Sequence, residues 1–139
     1  MRLINFIIGC ILLTLISLPA QSNTSIGDIT LSKGNSVIDR KNSEEDIKVE
    51  KDLDVFSYDT VKTGKGQVAI EFLDETRVDI TQNSKLTIDE FVYDPNTQTG
   101  KLSLKATLGT VRYASGQIAK NSAQNISIKT PTATVSVRG

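Results

Sequence analysis

Apolar and polar residues alternate with a period of two along most of this chain, and no stretch sustains the 3.6-residue period of an amphipathic helix. The clearest case lies between Thr81 and Gly116. There Leu86-Thr87-Ile88-Asp89-Glu90-Phe91-Val92-Tyr93 and Lys101-Leu102-Ser103-Leu104-Lys105-Ala106 are joined by the turn-forming run Asp94-Pro95-Asn96-Thr97-Gln98-Thr99-Gly100. This predicts a β-hairpin. Alternation puts Leu86, Ile88, Leu102 and Leu104 on one face and Lys85, Thr87, Lys101, Ser103 and Lys105 on the other. The pattern slips at Asp89-Glu90-Phe91-Val92, where a bulge or the end of the buried face is expected.

Further strands follow from the same rule. Val68, Ile70 and Phe72 alternate on one segment and Val78 and Ile80 on the next, across the turn Leu73-Asp74-Glu75-Thr76, so the two are expected to pair. Gly64-Lys65-Gly66 reads as a tight turn before them. Upstream, Ile29 and Leu31 lie in one short strand and Ser36-Val37-Ile38-Asp39 in a second, separated by a turn at Lys33-Gly34-Asn35. The charged run Arg40 to Asp46 reads as a solvated loop. Downstream, a strand bounded by Gly109 and Gly116 precedes a turn or single helical turn at Gln117 to Ser122, then a strand from Asn125 to Thr130. About ten short strands predict an all-β single domain, a rolled sandwich or a solenoid-like stack. Val68, Ile70, Val78, Ile80, Leu86, Ile88, Leu102 and Leu104 are its expected core.

The first residues break the pattern. After Met1-Arg2 comes the uncharged run Leu3 to Ala20, closing on Leu18-Pro19-Ala20 before the polar Gln21-Ser22-Asn23-Thr24. It reads as a signal peptide at residues 1–20, leaving a β domain at residues 21–139 and a periplasmic or secreted protein. The rival is an uncleaved membrane anchor, against which the short span and Pro19 argue. Ile7-Ile8-Gly9-Cys10 looks like a lipoprotein acylation box, but the long apolar run follows Cys10 where it should precede it.

Composition removes several chemistries. The chain has no His and no Trp, and its single Cys falls in the export segment. Disulfides, Cys/His zinc sites and Ser-His-Asp or Cys-His catalysis are thereby excluded from residues 21–139. The sixteen Lys and Arg balance sixteen Asp and Glu, so the chain lacks the basic excess that nucleic-acid binding needs. No catalytic residue, metal site or cofactor is expected. Asp74-Glu75 and Asp89-Glu90 are adjacent strand or turn residues, expected to point to opposite faces and not to share a site. Gly64-Lys65-Gly66 lacks the spacing and following helix of a phosphate-binding loop. Arg112 and Arg138, each in an apolar strand context, are the candidates for binding an anion or a partner's carboxylate. The tyrosines and phenylalanines are too few for a sugar-stacking platform, and core packing is their default role.

Five ordered segments resemble the FecR-like domain, named after the ferric-citrate regulator of Gram-negative bacteria: Asp59-Thr60-Val61-Lys62-Thr63-Gly64, Phe72-Leu73-Asp74-Glu75-Thr76, Ile88 to Pro95, Gly109-Thr110-Val111-Arg112, and Thr130 to Gly139. Three positions depart from the family pattern. Glu75 replaces the Gly of an Asp-Gly turn, Tyr58 stands where Gly is common before Asp59, and Ser136 where Gly is usual before Val137-Arg138-Gly139. The resemblance implies a non-enzymatic extracytoplasmic sensor or protein-interaction module of the bacterial envelope, whose partner is another envelope protein. A membrane is a partner only if the first segment stays uncleaved. The alternative is an envelope hydrolase or carbohydrate-binding protein, for which only scattered carboxylates speak. The best-known members look like a cytoplasmic anti-sigma segment and a membrane helix followed by this domain, whereas only Met1 and Arg2 precede the export signal here. The alternating segment Thr132 to Gly139 ends without a polar tail, so a truncated domain whose last strand lacks a neighbour is expected.

Overall fold

A computed structural model describes residues 24–131 and 133–138; the signal peptide read at residues 1–20 lies outside the described residues. Two strands of 13 residues, β1 (Gly27–Asp39) and β4 (Thr60–Phe72), organise the fold. They pair antiparallel along their whole length, from Gly27 beside Phe72 to Asp39 beside Thr60. The short strands β2 (Ile47–Lys48) and β3 (Asp54–Val55) flank the far edge of β1. On its other edge β4 changes partner part-way along. Its Thr60–Lys62 end pairs with β6 (Lys85–Asp94), and its Val68–Glu71 end with β5 (Arg77–Ile80).

From that division one sheet spreads into two leaves. One continues from β6 through β7 (Thr99–Leu108) to β9 (Ile126–Lys129), and the other from β5 through β8 (Thr110–Ala114) to β10 (Thr134–Arg138). Inward residues of both leaves belong to one core cluster, so the sheet rolls upon itself. All eight residues expected in the core are there, each at most 1% exposed. Part of this all-β sheet is solenoid-like. After a helical turn α1 (Gln117–Ser122), β9 runs parallel to β7 and β10 parallel to β8. Leu102 lies beside Ile126 and Thr110 beside Thr134, so both pairs hold the same offset of 24 residues. The last strand therefore has a neighbour, contrary to expectation.

The predicted β6–β7 hairpin forms, and its register shift between Ile88 and Glu90 is the bulge signalled by the broken alternation. Two expected turns do not form. Lys33-Gly34-Asn35 lies inside β1 and Gly64-Lys65-Gly66 inside β4. Gly34 and Gly66 are cross-strand partners, and the register shifts between Gly34 and Ser36. Gly34 sits at φ +73°, a conformation glycine adopts without steric cost. Here glycine bends a continuous ribbon instead of reversing the chain.

The charged loop from Arg40 also differs from expectation at its first residue. Arg40 Nε and Nη2 each donate to the Asp59 carboxylate at 3.0 Å, and Asp59 is fully buried. The Phe56 backbone N–H adds a third bond at 3.0 Å, and the guanidinium lies 4.5 Å over the Phe56 ring. A buried carboxylate must be paired and hydrogen-bonded, and Asp59 meets that need through Arg40. Among the aromatics Phe72 and Phe91 stack in the core at 5.3 Å, but Tyr58 is 57% exposed and is no core residue.

Candidate functional site

Strand β8 shows how alternation exposes a cation. Val111 and Tyr113 turn into the core, which leaves Arg112 on the outer face, exposed. Burial raises the Tyr113 phenol above its ordinary value of 10.0, and the Asp74 carboxylate acts in the same direction. The Ser115 and Thr76 hydroxyls offset part of that rise, though neither meets hydrogen-bond geometry with the phenol oxygen. Arg112 stands across the ladder from Asp79. The Asp79 carboxylate instead accepts from Arg77 Nε at 3.2 Å, which leaves the Arg112 guanidinium free of it.

Arg112 borders an open cavity of about 790 Å³ on the outer face of the sheet. The bent ribbon supplies Lys33, Gly34, Lys65, Gly66 and Gln67, and the turn between β5 and β6 supplies Thr81, Gln82 and Asn83. That turn is held firmly. Thr81 N and Oγ1 donate to the Thr110 carbonyl at 3.1 and 2.8 Å, and Asn83 N donates to the Gly64 carbonyl at 2.9 Å. Asn83 takes the left-handed conformation at φ 53°, which Asn tolerates better than most residues. The lining thus holds three cations from three strands, the three carboxamides of Gln67, Gln82 and Asn83, the Thr81 hydroxyl, and no carboxylate. Lys33, Lys65 and Arg112 form no ion pair among the described residues. Such a lining favours oxyanions, through charge from the cations and hydrogen bonds from the amides and hydroxyl.

Of the two candidate arginines, then, Arg112 lies at a cavity. Arg138 pairs through its backbone with Ala114, and its side chain lies outside the described residues. Lys33 and Lys65 were missed because their segments read as turns. The available signal was a cation beside a glycine in each, in Lys33-Gly34 and Lys65-Gly66.

A second surface cavity, of about 610 Å³, is lined by Asp89, Glu90, Lys101, Ser103, Ser127 and Lys129. Adjacent Asp89 and Glu90 were expected on opposite faces. The bulge after Ile88 breaks the alternation and lets both line one cavity. Glu90 is engaged there by Lys101 Nζ at 3.1 Å. Among the described residues no group of three His, Cys, Asp or Glu is placed to hold a metal ion.

Among the described residues of the five segments that carry the family resemblance, Arg112 is the one that lines the first cavity, and others serve as buried ties. Asp59 anchors Arg40, and Thr63 Oγ1 donates to the carbonyls of Thr81 and Ser84. Asp74 is buried and accepts from Thr76 N, Thr76 Oγ1 and Ile118 N at 3.0, 2.8 and 3.2 Å, which ties the β4–β5 turn to α1. These residues satisfy buried donors and acceptors. A family model described as FecR protein matches residues 59–139. No curated protein and no solved structure matches the chain.

Proposed function

This chain belongs to the FecR family, and on that basis we propose that it is an exported, non-enzymatic sensor or protein-interaction module of the bacterial envelope, which meets an anionic partner group at Arg112. The observation that carries the reading is the cavity at Lys33, Lys65 and Arg112, a cationic lining without a carboxylate. Family membership supports a regulatory or sensing role rather than catalysis. Export rests on the apolar run Leu3 to Ala20 and on the extracytoplasmic character of the family. Among the described residues no helix is long and apolar enough to cross a membrane.

The alternative of a hydrolase or carbohydrate-binding protein draws on Asp89 and Glu90, which line one cavity. Lys101 Nζ already engages Glu90 there at 3.1 Å, so the two carboxylates do not stand as a free pair across the cavity. The test of the main reading is chemical cross-linking of the full chain in envelopes of the source cell, followed by identification of what is captured. A partner captured by the native chain and lost with Arg112→Glu supports it. Capture that is indifferent to Arg112→Glu and to Lys65→Glu contradicts the placement of the site.

A further inference from the structure

We infer that the cavity at Arg112 takes a small polyvalent oxyanion, a molecule bearing two or three phosphate or carboxylate groups; this deepens the reading above and rests on it. Spacing is the first reason. Lys33, Lys65 and Arg112 belong to β1, β4 and β8, and β5 lies between the last two. At the usual strand separation, Lys33 and Arg112 start from backbones about 14 Å apart. Side chains of their length converge on groups several ångströms apart more readily than on one atom.

Exposure is the second. All three cations are open to water, where a single ion pair changes affinity by about fivefold at most. Only a ligand that engages several of them together reaches useful affinity. The volume of about 790 Å³ falls within the span of small-molecule sites and exceeds the needs of one phosphate group.

The surroundings favour a small ligand over a larger one. The β1–β4, β4–β5 and β5–β8 ladders occupy at least one edge of each strand at the cavity, which limits the backbone that an extended peptide could join there. Gln67, Gln82, Asn83 and Thr81 provide donors suited to ligand oxygens. The nearest carboxylate on the same row of the sheet, Asp79, is held by Arg77.

Isothermal titration of the full chain with tripolyphosphate, benzene-1,3,5-tricarboxylate and inorganic phosphate tests this, with vesicles of anionic phospholipid as a separate arm. Saturable binding of one or both trivalent probes is expected, at least about tenfold tighter than inorganic phosphate and weakened as salt rises. Lys65→Ala and Arg112→Ala are each expected to weaken it about twofold to fivefold, while Lys48→Ala, which removes an exposed charge elsewhere on β2, leaves it unchanged. Trivalent probes that bind no better than phosphate, equal losses from all three variants, or binding to vesicles alone overturn the inference. Those results leave the broader reading to the cross-linking experiment, which fails only if capture ignores Arg112 and Lys65.

Discussion

Gly34 and Gly66 face one another across the β1–β4 ladder, and each lies against the other strand's backbone: a Cβ on Gly34 would overlap the Lys65 carbonyl oxygen, and a Cβ on Gly66 the Lys33 carbonyl oxygen. Neither carbonyl is free to move, because both belong to the paired ribbon. Gly66→Ala is therefore expected to cost about 2 kcal/mol or more in urea unfolding. Gly64 has a Cβ position 3.1 Å from the Asn35 carbonyl oxygen and no positive φ, so Gly64→Ala is expected to cost under about 1 kcal/mol. Equal effects of the two substitutions would show that close approach at the bend is not what requires glycine.

Arg40 and Asp59 form a second long-range tie, between the end of β1 and the start of β4. Asp59→Ala leaves Arg40 without its partner and removes the acceptor of the Phe56 N–H, with an expected loss of about 3 kcal/mol. Arg40→Ala leaves a buried carboxylate and is expected to cost about as much. The double variant should lose clearly less than the two single losses combined, as a double-mutant cycle would measure.

Glu75 occupies the left-handed region at φ 68°, where the family pattern has Gly. A residue with a Cβ pays a steric cost there that Gly does not. Its carboxylate accepts from Gln117 Nε2 at 3.0 Å, but that bond is exposed and weak. Glu75→Gly is expected to raise stability by about 0.5–1 kcal/mol, read as a higher denaturation midpoint.

Tyr113 sets a limit at alkaline pH. Burial raises its phenol above 10.0 in the folded protein, so the folded state favours the protonated form more than the unfolded chain does. The resulting stability is complete below the unfolded value of about 10 and is lost as pH rises through the folded one. Melting temperatures taken from about pH 9 to about pH 11.5 should fall more steeply for the native chain than for Tyr113→Phe. Parallel curves would show that Tyr113 does not titrate with unfolding.

Export gives the simplest test. Protein recovered from outside the cytoplasm should begin at Gln21, as N-terminal sequencing would establish. Recovery of the chain intact from Met1 in the soluble cytosol would contradict the reading of Leu3 to Ala20 as a signal.

What could be read from the sequence was what a few consecutive residues decide. The alternation from Leu86 to Ala106 carries the β6–β7 hairpin, and its slip at Asp89 carries the bulge. The effect of that slip, Asp89 and Glu90 at one cavity, depends on the neighbouring strands β7 and β9 and was not legible. Gly34 and Gly66 were noticed but misread, since a glycine marks a turn and a close approach equally well until its partner is known. The Arg40–Asp59 bond joins residues 19 apart, the first of them in a run that otherwise looks like any solvated loop. Arg112 could be found because one exposed cation between two buried apolar neighbours is a local pattern. Lys33 and Lys65 come near it only when the ribbon bends and the sheet rolls.

The constant offset between the two parallel pairs has a bearing on how this molecule breathes. β9 leans on β7 and β10 on β8, each through one ladder, and α1 connects the two layers. β9 and β10 follow one another in the chain and depend on one ladder each, while the long β1–β4 ribbon and the hairpin retain their own pairings. Amide hydrogens of β9 and β10 should accordingly exchange together and early, as one cooperative unit, and those at the centre of β4 should exchange only when the whole protein opens.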